Sequence, residues 1–264
     1  GTVGASVVRL VENERALLSA RCGRPIEIVA VNARARNKDR GIDIKKLRWV
    51  ADPVTLAVDP DIDVFVELMG GADGAARDAV IAALSAGKSV VTANKALLAK
   101  HGVKLAAIAE KQKVALNFEA SVAGAIPVVK TLREGLAGNS IARVYGILNG
   151  TCNYMLSRME LEGLTYDACL ADAQALGYAE ADPTFDVGGF DTAHKLALLA
   201  SLAFGTEIDA ASIYVEGIEA ITPLDLKMAD ELGYRIKLLG VAERTARCCT
   251  CRCTPSGRPL FDPP

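Results

Sequence analysis

VFVELMGGADGAARDAVIAALSAGKSVVTANKALLAKHGVKLAAIAEKQKVALNF, residues 64–118, decides the fold class. It holds three short runs rich in β-branched residues, VFVEL (64–68), SVVTA (89–93) and VALNF (114–118). Between them lie an Ala-rich helical segment over 72–86, ended by Gly87, and a second helix running to about Glu110. Short apolar runs suit buried strands, and parallel neighbours need a crossover of helix length between them. The spacing therefore predicts an α/β fold built on a doubly wound parallel sheet.

The same alternation extends toward the N-terminus. VGASVVRLVENERALLSA (3–20) predicts an amphipathic helix, apolar at Val7, Val8, Val11, Leu17 and Leu18. After Pro25, IEIVAV (26–31) predicts a further strand. Toward the C-terminus the character changes near residue 120. A Gly/Ala segment leads to a helix over 127–137, a strand over 141–148, a helix after NGTCNY and another over about 165–176 ended by Gly177. A polar stretch, YAEADPTFDVGGFD (178–191), precedes an apolar helix over 192–204. The pattern sets a first domain at 1–120 and a second, α+β domain at 121–245. Residues 246–264 stand apart as an atypical tail in which Cys248, Cys249, Cys251 and Cys253 crowd together.

Composition narrows the function classes. The 264 residues carry 30 Lys+Arg against 32 Asp+Glu. That balance leaves no basic surplus for a nucleic-acid backbone and no polybasic run for a membrane surface. No stretch of eighteen consecutive apolar residues spans a bilayer. The opening GTVGASVV has neither the charged start nor the cleavage site of a signal peptide. The expectation is a soluble, cytoplasmic chain. Cys22, Cys152 and Cys169 are scattered as reduced intracellular thiols would be. With only His101 and His194 present, a histidine triad or zinc site is not expected.

Four places could carry chemistry. Gly1-Thr2-Val3-Gly4 opens a helix and supplies the last two glycines of a G-x-G-x-x-G turn, where backbone amides approach a pyrophosphate. The 26–31 strand ends Asn32-Ala33-Arg34-Ala35-Arg36-Asn37-Lys38, with no acid before Asp39. An acid at such a strand end bonds a ribose 2′-hydroxyl and an Arg suits a 2′-phosphate, so Arg34 favours NADP over NAD. Lys95, in Thr92-Ala93-Asn94-Lys95, sits at the carboxyl end of a strand, where doubly wound sheets bind ligands. Last, Glu180, Asp182, Asp186, Asp191 and Lys195 fall close together, with Asp191 and Lys195 four apart on one helix face. That pair reads either as a surface salt bridge at a helix start or as a lysine proton carrier held by an acid. Cys152, before a helix, is a weaker candidate nucleophile.

Taken together, GTVG at the start, VELMGG (66–71), GKSVVTANKALLA (87–99), FEASVAGAIPVV (118–129), GILNGTCNY (146–154) and GYAEADPTFDVGGFDTAHK (177–195) resemble the blocks of homoserine dehydrogenases, in the family's order. The resemblance covers about residues 1–245. It implies a Rossmann-type NAD(P)-binding domain joined to an α+β substrate and dimerisation domain. The implied reaction is the NAD(P)-dependent interconversion of L-homoserine and L-aspartate 4-semialdehyde, in threonine, methionine and isoleucine biosynthesis. It implies Lys195 as general acid/base, Lys95 against cofactor and substrate, Glu180 on the substrate's amino group, and Asp186 and Asp191 in support. It also implies Gly1, Thr2, Val3 and Gly4 at the cofactor phosphates. A sodium ion would be held by Glu119, Val122, Gly124 and Ile126, largely through carbonyls, and the family pairs its subunits as homodimers or homotetramers.

Two departures stand against the family pattern. The first strand and first glycine of the dinucleotide motif are absent, and from about Arg247 the likeness ends, as a fragment boundary or frameshift would produce. Two rival readings follow. One is a semialdehyde dehydrogenase using Cys152 as its acylated nucleophile. The other is a non-catalytic dinucleotide-binding fragment.

Overall fold

The computed structural model describes residues 1–207, 209–245 and 249–259. The chain divides into two compact units, Gly1–Ser121 and Val122–Pro264. The first begins with α1 (Thr2–Asn13) and α2 (Arg15–Cys22), followed by β1 (Ala30–Val31), β2 (Arg48–Trp49) and α3 (Pro53–Ala57). Then come β3 (Val64–Glu67), α4 (Ala75–Ser85), β4 (Ser89–Thr92), α5 (Lys95–Gln112) and β5 (Leu116–Asn117). The strands β3, β4 and β5 form one parallel sheet in that order, with α4 and α5 as the crossovers, and β1 pairs β2 in a second parallel ladder. This is the α/β, Rossmann-type alternation that the 64–118 stretch predicts.

Boundaries within the unit follow local chemistry. Asn94 caps α5 by accepting from the Leu97 N–H at 3.0 Å. Asp52 caps α3 the same way, and Pro53 follows at its first position, where a missing N–H is harmless. Gly87 takes φ +75 after α4, turning the chain into β4.

Two expectations for this unit are corrected. The helix predicted over 3–20 is two helices, separated at Glu14 (φ −99, ψ 19). α1 buries Ala5 and Val8, whereas α2 buries no residue, so no packed face keeps the second segment in phase with the first. The strand predicted over 26–31 is reduced to Ala30–Val31. Its ladder against β2 is extended only by the Arg48 N–H on the Val29 carbonyl and the Val50 N–H on the Val31 carbonyl. An apolar run becomes strand only where a neighbour takes its hydrogen bonds.

The second unit holds α6 (Val128–Lys130), β6 (Arg143–Gly146), α7 (Gly150–Glu162), α8 (Tyr166–Ala175), α9 (Thr184–Val187) and α10 (Phe190–Phe204). It ends with β7 (Tyr214–Val215), α11 (Pro223–Glu231), β8 (Tyr234–Arg244) and β9 (Cys249–Pro259). The four strands form one mixed sheet in the order β6-β8-β9-β7. Cys152, Met155, Leu156 and Met159 of α7 pack with Cys169, Ile218, Leu226 and Leu238 in one core, while Leu196, Ala197, Ala200 and Phe204 of α10 pack on Ala242 and Cys253 in another. The helix predicted over 127–137 is short: α6 passes at Thr131 into a wide turn whose Leu136 N–H bonds the Thr131 carbonyl at 2.8 Å.

The segment read as an atypical tail is the largest correction. Residues 249–259 form β9, paired antiparallel with β8 from Arg244↔Cys249 to Tyr234↔Pro259. Cys253 is buried against α10, with Cys249 and Cys251 beside it on the same face. Burial pushes the Cys253 thiol up to about 12. These cysteines act as small apolar side chains. Cys248 lies outside the described residues.

Candidate active site

The second unit brings Asp186, Asp191 and Lys195 together where α7, α9 and α10 begin or end, while Glu180 and Asp182 lie on the stretch before α9. Gly189 starts α10 at φ +86, a conformation that favours glycine. Asp191 and Lys195 then project from one face of α10, Oδ2 and Nζ 2.7 Å apart. The carboxylate is buried, with 1% of the residue exposed, and the lysine side chain keeps 18%. This is not the exposed salt bridge that the spacing alone allows. The Lys195 ammonium also donates to the Leu148 carbonyl at 2.9 Å.

The residue after Leu148 completes the cluster. Asn149 caps α7, its Oδ1 accepting from the Cys152 N–H at 2.8 Å. Its Nδ2 donates to Asp186 Oδ1 at 2.8 Å and to Asp191 Oδ2 at 2.9 Å. Asp186, on α9, is thereby tied to the acid that carries the lysine.

Cys152 is placed unlike an activated nucleophile. It is fully buried, its thiol donates to the Asp186 carbonyl at 3.2 Å, and burial with the nearby charges of Asp186 and Asp191 pushes it up to about 12. A thiol so far from ionisation supplies no thiolate near neutral pH. Both features stand against the semialdehyde dehydrogenase reading.

The polar stretch before α9 is tethered but open. The Thr151 hydroxyl donates to the Tyr178 carbonyl at 2.9 Å, and the Tyr154 and Tyr178 rings meet edge-on at 5.1 Å. Glu180 is exposed, and its backbone carbonyl accepts from the Gln174 amide at 3.0 Å. Asp182 accepts from the Thr184 N–H and hydroxyl, which hold its carboxyl below the usual range.

Gly217 fixes the entry to α10 and carries no local sequence signal. The Ile218 N–H bonds the Val187 carbonyl at 2.9 Å, drawing the chain so close that a Cβ on Gly217 would stand 2.5 Å from that carbonyl oxygen and 2.8 Å from Gly188 Cα. Both are backbone atoms, so neither yields by a rotamer change. Gly217→Ala is expected to destabilise the chain by about 1–3 kcal/mol, the usual range for overpacking. Urea unfolding within about 0.5 kcal/mol of the parent, the scatter of neutral surface changes, would refute the close approach.

In the first unit the candidate residues gather at strand ends. Glu67, at the end of β3, is fully buried and accepts from the N–H groups of Met69 at 2.6 Å and Gly70 at 3.2 Å. Its other oxygen takes the Thr92 hydroxyl at 2.5 Å. Thr92 Oγ1 receives the Asn94 N–H, and Asn94 Nδ2 holds the Gly71 carbonyl. The network joins the MGG turn to the TANK turn and sets Lys95, half-buried, as the first residue of α5. Gly1 caps α1 without a side chain, nothing stands within 4 Å of where its Cβ would be, and Thr2 and Val3 are exposed. A helix start of this kind can receive an anionic group on its backbone amides. Arg34 is exposed beyond β1, and the Asp39 carboxylate is engaged by the Gly41 N–H at 2.8 Å.

The profile of the homoserine dehydrogenase NAD-binding domain matches residues 1–119, and that of homoserine dehydrogenase matches residues 127–262. The chain belongs to the homoserine dehydrogenase family. The homoserine dehydrogenase of Neisseria gonorrhoeae is 47% identical over 247 residues, covering 94% of this chain and 56% of the relative. That of Mycobacterium tuberculosis H37Rv is 50% identical over 244 residues, covering 92% and 55%. The crystal structure of a homoserine dehydrogenase from Thiobacillus denitrificans superposes with a TM-score of 0.94 at 44% identity, covering 99% of this chain and 60% of that one. The family match runs through β9, past the point near Arg247 where the sequence likeness is expected to stop. The chain spans about half the length of the curated homoserine dehydrogenases it matches.

Proposed function

We propose that this chain carries the dehydrogenase chemistry of its family, interconverting L-homoserine and L-aspartate 4-semialdehyde in threonine, methionine and isoleucine biosynthesis. The observation that carries the reading is the Lys195 ammonium, partly exposed and held between buried Asp191 and the Leu148 carbonyl. A bound nicotinamide dinucleotide supplies the hydride chemistry. Lys195 takes the hydroxyl proton as homoserine is oxidised and returns it to the carbonyl oxygen on reduction, a role that needs a group within about 3 Å of that oxygen. Two of its three N–H groups are already accepted, which leaves one for the substrate. Asp191 and Asp186 hold the lysine in place. Glu180, exposed, receives the substrate ammonium, and Lys95 meets the anionic groups of cofactor and substrate.

The dinucleotide phosphates belong at the start of α1, on the amides that follow Gly1 up to Gly4. Arg34 is exposed with no acid beside it in sequence before Asp39, whose carboxylate is engaged by the Gly41 N–H, and this favours NADP over NAD. A sodium ion on Glu119, Val122, Gly124 and Ile126 is part of the same reading. Carbonyl oxygens suit a hard cation, and the loop turns through Ala125 at φ +64, although the Ile126 carbonyl already accepts the Val128 N–H at 2.8 Å. The reading also carries a cytoplasmic homodimer or homotetramer, whose subunit number sedimentation would give. Among the described residues, no helix is long and apolar enough to cross a membrane.

One assay tests these statements. Oxidation of NADPH with L-aspartate 4-semialdehyde is followed beside NADH, in sodium and in choline buffers. Turnover that favours NADPH and rises with sodium is expected. Cofactor binding without turnover would leave a non-catalytic dinucleotide-binding fragment. Equal rates with both dinucleotides, or in both buffers, would remove the Arg34 or the sodium assignment separately.

A further inference from the structure

We infer that Asn149 is a positioning residue of the proton-transfer site, setting the orientation of the carboxylate that holds Lys195. The inference rests on the dehydrogenase reading for its consequence in turnover, but its geometry stands alone. The side chain is buried, and three of its four hydrogen-bonding positions are filled. The two amide hydrogens go to Asp186 Oδ1 and Asp191 Oδ2, and Oδ1 takes the Cys152 N–H. Those partners admit one amide orientation, since the reverse would set a carbonyl oxygen against two carboxylates.

The arrangement acts on the lysine from two directions. Leu148 and Asn149 are consecutive, so one turn supplies both the carbonyl that accepts from Lys195 and the amide that fixes its counter-ion. Asp191 Oδ2 receives Lys195 and Asn149 together, which leaves that carboxylate little freedom to rotate. The amide also lies between Asp186 and Asp191, and its positive edge offsets the repulsion of two neighbouring negative charges. Among the described residues, the titratable groups tied into this cluster are Asp191 from α10, which pairs with the lysine, Asp186 from α9, linked through Asn149, and Cys152 from α7, whose N–H Asn149 accepts and whose thiol turns to the Asp186 carbonyl.

A bland alternative makes Asn149 only the cap of α7. Asn149→Ser separates the two roles, because Ser caps as well as Asn but cannot reach both carboxylates with two N–H donors. Asn149→Ala removes cap and donors together. Two readouts are taken on the full chain. The first is kcat and the KM for NADPH in the semialdehyde assay. The second, independent of turnover, is the solvent-exchange rate of the Lys195 ammonium protons by nitrogen-15 NMR, assigned with Lys195→Arg.

Asn149→Ser is expected to stay folded and melt somewhat below the parent, because two buried hydrogen bonds to carboxylates are lost, to exchange the Lys195 protons several-fold faster, and to lose about 10-fold or more in kcat with KM for NADPH unchanged, as misplacement of a reacting group does. Asn149→Ala is expected to match it in both readouts and to melt lower. Parental exchange and parental kcat in Asn149→Ser would overturn the inference and leave the cap alone. A parent chain without turnover would refute the dehydrogenase reading, while the exchange rates would still decide the role of Asn149.

Discussion

Lys195→Ala is expected to lower semialdehyde reduction by about 10²–10⁴-fold while NADPH still binds, the loss that follows removal of a positioned acid or base. The size comes from what the ammonium does in place. It is fixed by Asp191 at 2.7 Å and Leu148 at 2.9 Å, so its remaining proton is aimed without further ordering. Lys195→Arg sharpens the test. A guanidinium keeps the positive charge and the ion pair with Asp191, but it does not give up a proton near neutral pH. If the lysine only neutralised or placed a neighbour, Arg would restore much of the rate. The proton-carrier role predicts that Arg stays within about tenfold of Ala. Steady-state rates paired with NADPH binding by fluorescence decide it, and equal turnover in parent and Ala would sink the assignment.

How far the sequence reached depended on the range of the signal. The β3–α4–β4–α5–β5 series was legible because each element is marked by its own residues: β-branched runs, an Ala-rich helix, Gly87 and the capping Asn94. IEIVAV carried the same local mark and yields only a two-residue strand, since its ladder depends on Arg48–Trp49, which nothing in 26–31 announces. The CTCRC stretch (249–253) shows the converse. Its cysteines alternate with Thr250 and Arg252 at the period of a half-buried strand, a pattern that the unusual density of thiols masks. In the site, Asp191 and Lys195 were legible as a helical i,i+4 pair. Asn149 was not: its partners Asp186 and Asp191 lie 37 and 42 residues away. Its one readable trace was the capping position in NGTCNY. Glu67 was hidden in the same way, because a carboxylate at the end of an apolar strand reveals its partners Met69, Gly70 and Thr92 only once the turns are built.

Asp191→Ala is expected to cost about 3 kcal/mol of stability, at the low end of the roughly 3–5 kcal/mol lost when one partner of a buried ion pair is removed. The substitution leaves an Asn149 N–H without its acceptor and leaves the Lys195 charge, among the described residues, with the Leu148 carbonyl as its hydrogen-bond acceptor. The lysine side chain is 18% exposed, so water can recover part of its hydration, which places the cost at the low end. For a chain of this size such a loss lowers the melting temperature by about 6–12 °C. Asp191→Asn keeps an oxygen for both donors and is expected to melt nearer the parent, yet to turn over slowly, since the charge that holds the ammonium is gone. The informative variant replaces both partners. Desolvating two charges offsets most of their attraction, so Asp191→Asn with Lys195→Met, which fill similar volume and keep an acceptor for the Asn149 N–H, is expected to fold about as stably as the parent. It should bind NADPH and show no turnover. A double variant less stable than Asp191→Ala alone would mean that the pair stabilises the fold on its own account. Recovery of the melting temperature with turnover abolished would mean that this buried pair is kept for its chemistry.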